Sequence, residues 1–269
     1  MDNDKKQKFV QQLIDAVKAD DINGLRALLD SAEEPISKYN YAYEALNTAL
    51  RLGRYDIEDE LMRRGARWTY ESIQDVVDGG DESNSWNTKA VDVAIANGWD
   101  VHTEYEHVGN ALVHVVSMNQ CHIPMIAHLI AKGADPNEGR QTYSNPLEIA
   151  CEIPDLQVAK FLIEHGATVK GTSALREASI TGDVELVRLL LDKGADINEI
   201  PPENGRPSHW VTDERWGTPL HAAVYYDRVE CVKFLLENGA AQDIRNPSGV
   251  TPLELAKKRG NDEILRLFK

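Results

Sequence analysis

The chain has 269 residues, 42% hydrophobic and 27% charged, enough for a sizeable core and for one or two domains at roughly 100–200 residues each. With 44 acids against 29 bases the net charge is −15, a field that repels duplex nucleic acid and anionic membranes and removes both as main partners. Cys121, Cys151 and Cys231 stand far apart without a CxxC pair, as expected of reduced thiols inside a cell rather than a disulfide framework. MDNDKKQKF has no apolar run behind its charges, so no secretory signal is read. No stretch approaches the ~20 apolar residues of a membrane span. A cytoplasmic chain is expected, with the nucleus left open.

Self-comparison shows a repeat of amphipathic helix pairs. Its units start at equivalent anchors, Gln11, Glu44, Glu71, Asn110, Asn145, Ser173, Thr218 and Thr251. The first unit keeps the apolar spacing Leu13, Ala16, Leu25, Leu28 and closes at Ala32; the second keeps Leu46, Ala49, Leu61 and closes at Gly65. The third places six extra residues between its helices, around Asp78-Gly79-Gly80-Asp81, and the fourth two extra near Cys121. The fifth, sixth and seventh close at Gly166, Gly194 and Gly239, 21 residues after their anchors, where a left-handed helix end wants glycine. Six of eight units carry Ala five residues after the anchor (Ala16, Ala49, Ala150, Ala178, Ala223, Ala256), a small residue where helices approach. Between the sixth and seventh units the anchor spacing grows to 45, twelve more than the 33 that separates Thr218 from Thr251. This lengthening, residues 199–217, carries three prolines and two tryptophans and reads as an ordered excursion. The eighth unit ends in a helix with Asn261, Asp262, Glu263 and Arg266 between Ile264, Leu265 and Leu267, polar enough outside to close a stack.

Thr218-Pro219-Leu220-His221, Thr251-Pro252-Leu253, Gly133-Ala134-Asp135-Pro136-Asn137 and Gly194-Ala195-Asp196-Ile197-Asn198 resemble the ankyrin repeat. The motifs are specific over residues 101–269 and degenerate over 1–100. The resemblance implies an all-α solenoid of about eight stacked helix-loop-helix units with hairpin-like finger loops, a single domain over 1–269. Inner helices and fingers would line a concave face, with the positions four, seven and eight after each anchor exposed on it. It also implies a structural hydrogen-bonding role for His221.

On that frame the amphipathic aromatics sort to the groove. Tyr39, Tyr41, Tyr43, Tyr70, Tyr105 and Tyr143 fall just before an anchor, and Tyr225 and Tyr226 seven and eight after one. Trp68 and Trp216 lie on finger positions, Trp99 and Trp210 in finger loops, whereas Phe161, Phe234 and Phe268 lie on second helices. Tyr and Trp combine contact area, few rotors and a polar tip, which suits a binding groove. The expected partner-binding set is Tyr41, Trp68, Tyr70, Tyr105, His107, Met118, Trp210, Arg215, Trp216, Tyr225 and Tyr226, with a protein or peptide partner and a monomeric chain. The alternative is a small-molecule site or enzyme pocket under residues 199–216, with His107, His114, Glu152 and Glu177 as acid–base residues. No metal-ligand spacing, phosphate loop or nucleophile motif is present in the sequence, so no cofactor or metal is expected. Residues 71–106 hold nine acids against Lys89 alone, a solvated face or a site for a basic segment.

Overall fold

A computed structural model describes residues 3–32, 35–36, 42–77, 87–105, 109–118, 123–139, 144–202 and 213–268. Among these lie sixteen helices: α1 (Asn3–Lys18), α2 (Ile22–Asp30), α3 (Ala42–Arg51), α4 (Tyr55–Arg63), α5 (Tyr70–Val77), α6 (Thr88–Ala96), α7 (Ala111–Ser117), α8 (Ile123–Ala131), α9 (Pro146–Glu152), α10 (Leu156–Glu164), α11 (Ala174–Thr181), α12 (Val184–Asp192), α13 (Pro219–Tyr225), α14 (Val229–Glu237), α15 (Pro252–Arg259) and α16 (Asp262–Leu265). No helix among the described residues is long and apolar enough to cross a membrane. The contacts divide into two compact units, Met1–Glu106 with Ala127–Gly133, and His107–Ile126 with Ala134–Lys269.

In the first unit α1, α3 and α5 pack side by side as an inner layer, and α2, α4 and α6 form an outer one. In the second, α7, α9, α11, α13 and α15 make the inner layer, with α10, α12, α14 and α16 outside. Short helices of seven to ten residues are marginal alone, so each depends on the face it buries. The recurrent alanines do what the spacing requires: Ala49, Ala150, Ala178, Ala223 and Ala256 are fully buried, letting adjacent inner helices approach. Ala16 is only half-buried.

The second helices hold register. Their N-caps fall ten residues after the anchor at Asp21, Arg54, Asp155, Asp183, Arg228 and Asn261. In the third unit the cap is Asn87, six residues later, so the extra residues lie between the helices as the spacing predicts. The closing glycines Gly65, Gly166, Gly194 and Gly239 all have φ near +100°, a conformation costly for any residue with a Cβ.

The first helices begin differently. Asn110, Asn145, Thr218 and Thr251 cap their helices by accepting backbone N–H bonds, as their anchor role predicts. Ser173 is a cap residue without a side-chain cap bond. Gln11 lies in the middle of α1, and Glu44 and Glu71 lie inside the first turns of α3 and α5. None of the three is a good N-cap residue, so the helix extends through it. Tyr43 and Tyr70 are thereby helical, rather than finger residues.

Candidate functional site

The exposed strip of the inner layer is narrower than the repeat arithmetic suggests. Four residues after the anchor, Thr48, His114, Ile149, Glu177, Ala222 and Leu255 are all buried, because an inner helix is flanked by neighbours on both sides. Asp15 and Asp75, at the same place in the first and third units, are exposed and half-buried; in the other units exposure begins seven and eight residues after the anchor. Arg51, Leu52, Glu152, Lys258 and Arg259 are exposed there, and Met118, Tyr225 and Tyr226 half-buried.

Three expected site residues, Tyr41, His107 and Trp210, lie outside the described residues. Among the acid–base candidates, His114 is buried in α7. Glu177 is buried in α11 and accepts from the Arg176 guanidinium at 2.9 Å. Glu152, at the end of α9, is exposed and accepts from the Ser144 hydroxyl at 3.0 Å. Cys151 beside it is fully buried, and burial, with the Glu177 charge adding, pushes its thiol well above the usual range. Such a thiol is inert packing. Among the described residues no group of three His, Cys, Asp or Glu side chains is placed to hold a metal.

In the first unit Trp68 and Tyr105 belong to one aromatic cluster. The ring of Trp68 lies 4.8 Å from that of Trp99, tilted by 40°, and the Trp99 indole N–H donates to the Tyr105 hydroxyl at 3.0 Å. Beneath them sits Glu58 of α4, fully buried, whose Oε1 accepts from the Trp68 indole at 3.3 Å. Its Oε2 is buried without a hydrogen-bond donor among the described residues. Burial pushes the Glu58 carboxyl up to about 8, against the lowering by the Trp68 bond, as desolvation of a charged form requires. Trp68 is itself buried, so it supports this end rather than presenting a face.

An open cleft lies between α3 and α5 of this unit. It encloses about 350 Å³ and is lined by Tyr43, Glu44, Asn47, Arg51, Glu71, Gln74 and Asp75. Arg51, the one cation of this lining, donates to both oxygens of Asp75 at 3.0–3.1 Å. The anchors and tyrosine could be read from the sequence; the cleft could not, since it depends on which helix faces meet.

In the second unit the C-terminal stub of the long excursion is clamped from two sides. Trp216 is buried, and the Arg176 guanidinium lies 4.4 Å from its ring, an attraction of cation and ring face. Arg176 also donates to the Arg215 carbonyl at 3.1 Å. From the other side the Asn246 amide donates to the carbonyls of Glu214 and Trp216. Trp216 is therefore part of the packing; Arg176 carried no sequence signal for that role. Arg215 is exposed and fastened to Asp213 at 2.9 Å.

Tyr225 and Tyr226 follow at the end of α13, their rings edge to face with centroids 5.2 Å apart. The Arg259 guanidinium lies over the Tyr225 ring at 4.7 Å and is held by Asp227 at 2.7 Å. This is an aromatic pair with a fixed cation beside it, each part held by a neighbour.

Paired short helices, alanine contacts between inner helices and left-handed glycine turns at a fixed offset define a tandem-repeat helical protein. A family model of ankyrin repeats in three copies matches residues 112–200 and 205–269, more than half of the chain. A second, of ankyrin repeats in many copies, matches 173–236. The chain belongs to the ankyrin repeat family, whose repeats generally mediate protein–protein interaction. It is 28% identical over 180 residues to human transient receptor potential cation channel subfamily A member 1, covering 61% of this chain and 15% of the channel subunit. With the ankyrin repeat protein YahD of Escherichia coli (strain K12) it shares 29% over 188 residues, 66% of this chain and 87% of YahD. The crystal structure of the human ASB11 ankyrin repeat domain superposes with a TM-score of 0.54 and 28% identity, covering 67% of this chain and 76% of that domain. The chain spans less than half the length of the first curated relatives it matches.

Proposed function

We propose that this chain is a binding module that takes a protein or peptide partner on the exposed strip of its inner helices, with Tyr225 and Tyr226 as anchor residues. The observation that carries this reading is the preorganised patch at the end of α13. Two half-buried tyrosines in edge-to-face contact stand beside an arginine fixed by Asp227. Tyrosine and arginine are the residue types on which interface energy concentrates, and groups already held by neighbours lose little further freedom on binding. Met118 on the exposed strip and Arg215 in the segment before α13 are further contact residues, with Trp216 buried beside Arg215.

A photo-crosslinking amino acid at position 226, compared with one at exposed Lys233 on the outer helix α14, tests the face. Adducts with a partner in cells of origin are expected from 226 and not from 233. Adducts from 233 alone, or equally from both, overturn the reading. Once the partner is identified, Tyr226→Ala is expected to weaken binding by roughly thirtyfold, the loss of ~2 kcal/mol typical of an anchor.

A further inference from the structure

The aromatic cluster of the first unit rests on a buried carboxyl, and the chain that covers this carboxyl is not helical. Trp68 lies in residues 64–69, the connection from α4 to α5, and Trp99 and Tyr105 lie in residues 97–105, which follow α6. Trp68 and Trp99 are in ring contact, and the Trp99 indole is tied to the Tyr105 hydroxyl. Glu58 belongs to α4, and the bond that joins it to this cover comes from the Trp68 indole at 3.3 Å.

Little else compensates Glu58. Its Oε2 is buried and has no hydrogen-bond donor among the described residues. The charges on the elements packed against α4 are committed elsewhere. Arg26 and Asp30 of α2 pair with Glu60 and Arg64. In α3, Arg51 pairs with Asp75, and Glu44 lines the cleft toward α5. In α6, Lys89 lies over the Tyr55 ring, and Asp92 pairs with His128 and Lys132. Within the cover, Arg67 donates to the carbonyls of Met62 and Ala66, Asp100 accepts from the His102 N–H, and the His102 and Glu104 side chains are exposed. The charge that does act on Glu58 is that of Asp59 beside it, which opposes ionisation.

A carboxyl in this position ionises only where water reaches it. Water could enter by unfolding of the repeats or by movement of the cover. The helices α3, α4 and α6 pack on one another with Leu46, Ile57, Leu61 and Ala94 fully buried. The cover buries only Ala66, Trp68 and Val101 among its apolar side chains. Segments with few buried apolar side chains open at lower cost than the helices they join, so the cover is the easier route.

We propose that residues 64–69 and 97–105 form a proton-operated cover: protonated Glu58 keeps it shut, and ionised Glu58 lifts Trp68 and its aromatic neighbours away while α4 and α6 stay folded. Burial holds the carboxyl at about 8 in the closed fold. Opening therefore becomes more favourable by about tenfold per pH unit from the ordinary glutamate range up to about 8, and levels off above it. The cover is shut in acid and loosens through neutral pH.

Hydrogen exchange of the full chain between pH 5.5 and 7.5, read amide by amide and corrected for the intrinsic rate, tests this. Ala66 and Trp99, whose N–H groups donate to the carbonyls of Leu61 and Ala94, report on the cover, and the amides of Leu61 and Ala94 report on α4 and α6. Protection at Ala66 and Trp99 is expected to fall by at least about thirtyfold across these two pH units, and to stay at least about tenfold below that of Leu61 and Ala94. In Glu58→Gln, which has no carboxyl to ionise, the fall is expected to be less than about threefold. Protection at Ala66 and Trp99 that does not change with pH overturns the proposal, as does an equal fall in Glu58→Gln. Equal protection of cover and helix amides also overturns it, since the unit then opens as a whole. The first and last of these comparisons lie within the unaltered chain and hold even where Glu58→Gln does not fold.

Discussion

At the scale of single residues, the chain contains a titrating flaw in its own core. Glu58 is fully buried beneath Trp68, with one carboxylate oxygen bonded to the indole and the other without a donor among the described residues. Burial holds its carboxyl at about 8, so between the ordinary glutamate range and pH 8 the folded chain keeps a proton that the unfolded chain has released. Folding then binds protons, and stability falls as pH rises through that window. The penalty is complete above about 8 and absent below the ordinary glutamate range. At ~1.4 kcal/mol per unit of displacement, the loss is at most about 5 kcal/mol. Glu58→Gln carries no charge to desolvate and is expected to flatten the profile. Its melting temperature should exceed that of the unaltered chain by a larger margin at pH 8.5 than at pH 5. A margin that is the same at both values would show that Glu58 does not titrate in this range.

At the scale of elements, the inner helices are held by one device made from different residues. In α13 His221 accepts from the N–H of its own cap residue Thr218 and reaches the Val250 carbonyl of the next repeat through its other nitrogen, at 2.9 Å. In α9 Glu148 occupies the same third position. It accepts from the N–H of its cap Asn145 with one oxygen and from the N–H of Ser173, in the next repeat, with the other. A two-ended side chain at this place ties a helix start to its neighbour, which places His221 in the structural role that the resemblance implies. Glu148 was not legible that way, because no motif distinguishes a carboxylate that staples two repeats from a solvated one. The same limit applied to the last helix. The polar and apolar alternation marked α16, but which apolar residue is buried depends on its rotation against α14 and α15. Ile264 is fully buried and Leu265 only half-buried. Ile264→Ala is therefore expected to destabilise by ~2–4 kcal/mol and Leu265→Ala by no more than about half of that. Denaturant titration, with hydrogen exchange of the α16 amides, distinguishes them. A larger loss at 265 would reverse the assignment.

At the scale of the whole chain, periodicity was the most legible property, because repeat offsets survive wherever the backbone needs the same turn. The glycine closures and second-helix caps fall where spacing puts them, even across the six-residue lengthening before Asn87. The candidate site was legible only in part. Residue type pointed to Tyr225, Tyr226 and Arg215, but burial of Trp68 and Trp216 and the α3–α5 cleft arise from packing between repeats, which periodicity does not encode. The long excursion shows how the repeat absorbs an addition. The Asn137 side-chain oxygen accepts from the N–H of Thr168, 31 residues on, two residues past the closing glycine Gly166. Asn198 makes the same bond to the N–H of Ala241, 43 residues on, two past Gly239. Twelve more residues intervene, yet the pin is unchanged, and the far end of the excursion is fixed by Arg176 and Asn246. The added chain is thus tied off at both ends by bonds that belong to the repeats. Loop closure costs only ~0.6 kcal/mol for each doubling of length, so the added length by itself weighs little on stability. Replacing residues 203–212 by a four-residue Gly-Ser linker is expected to change unfolding free energy by less than about 1 kcal/mol. Asn198→Ala, which leaves the Ala241 N–H without its acceptor, is expected to cost ~1–3 kcal/mol. Denaturant unfolding of the two variants side by side checks both values. A loss of several kcal/mol on shortening, with little effect from Asn198→Ala, would mean that the excursion itself, and not the asparagine pin, holds these repeats in register.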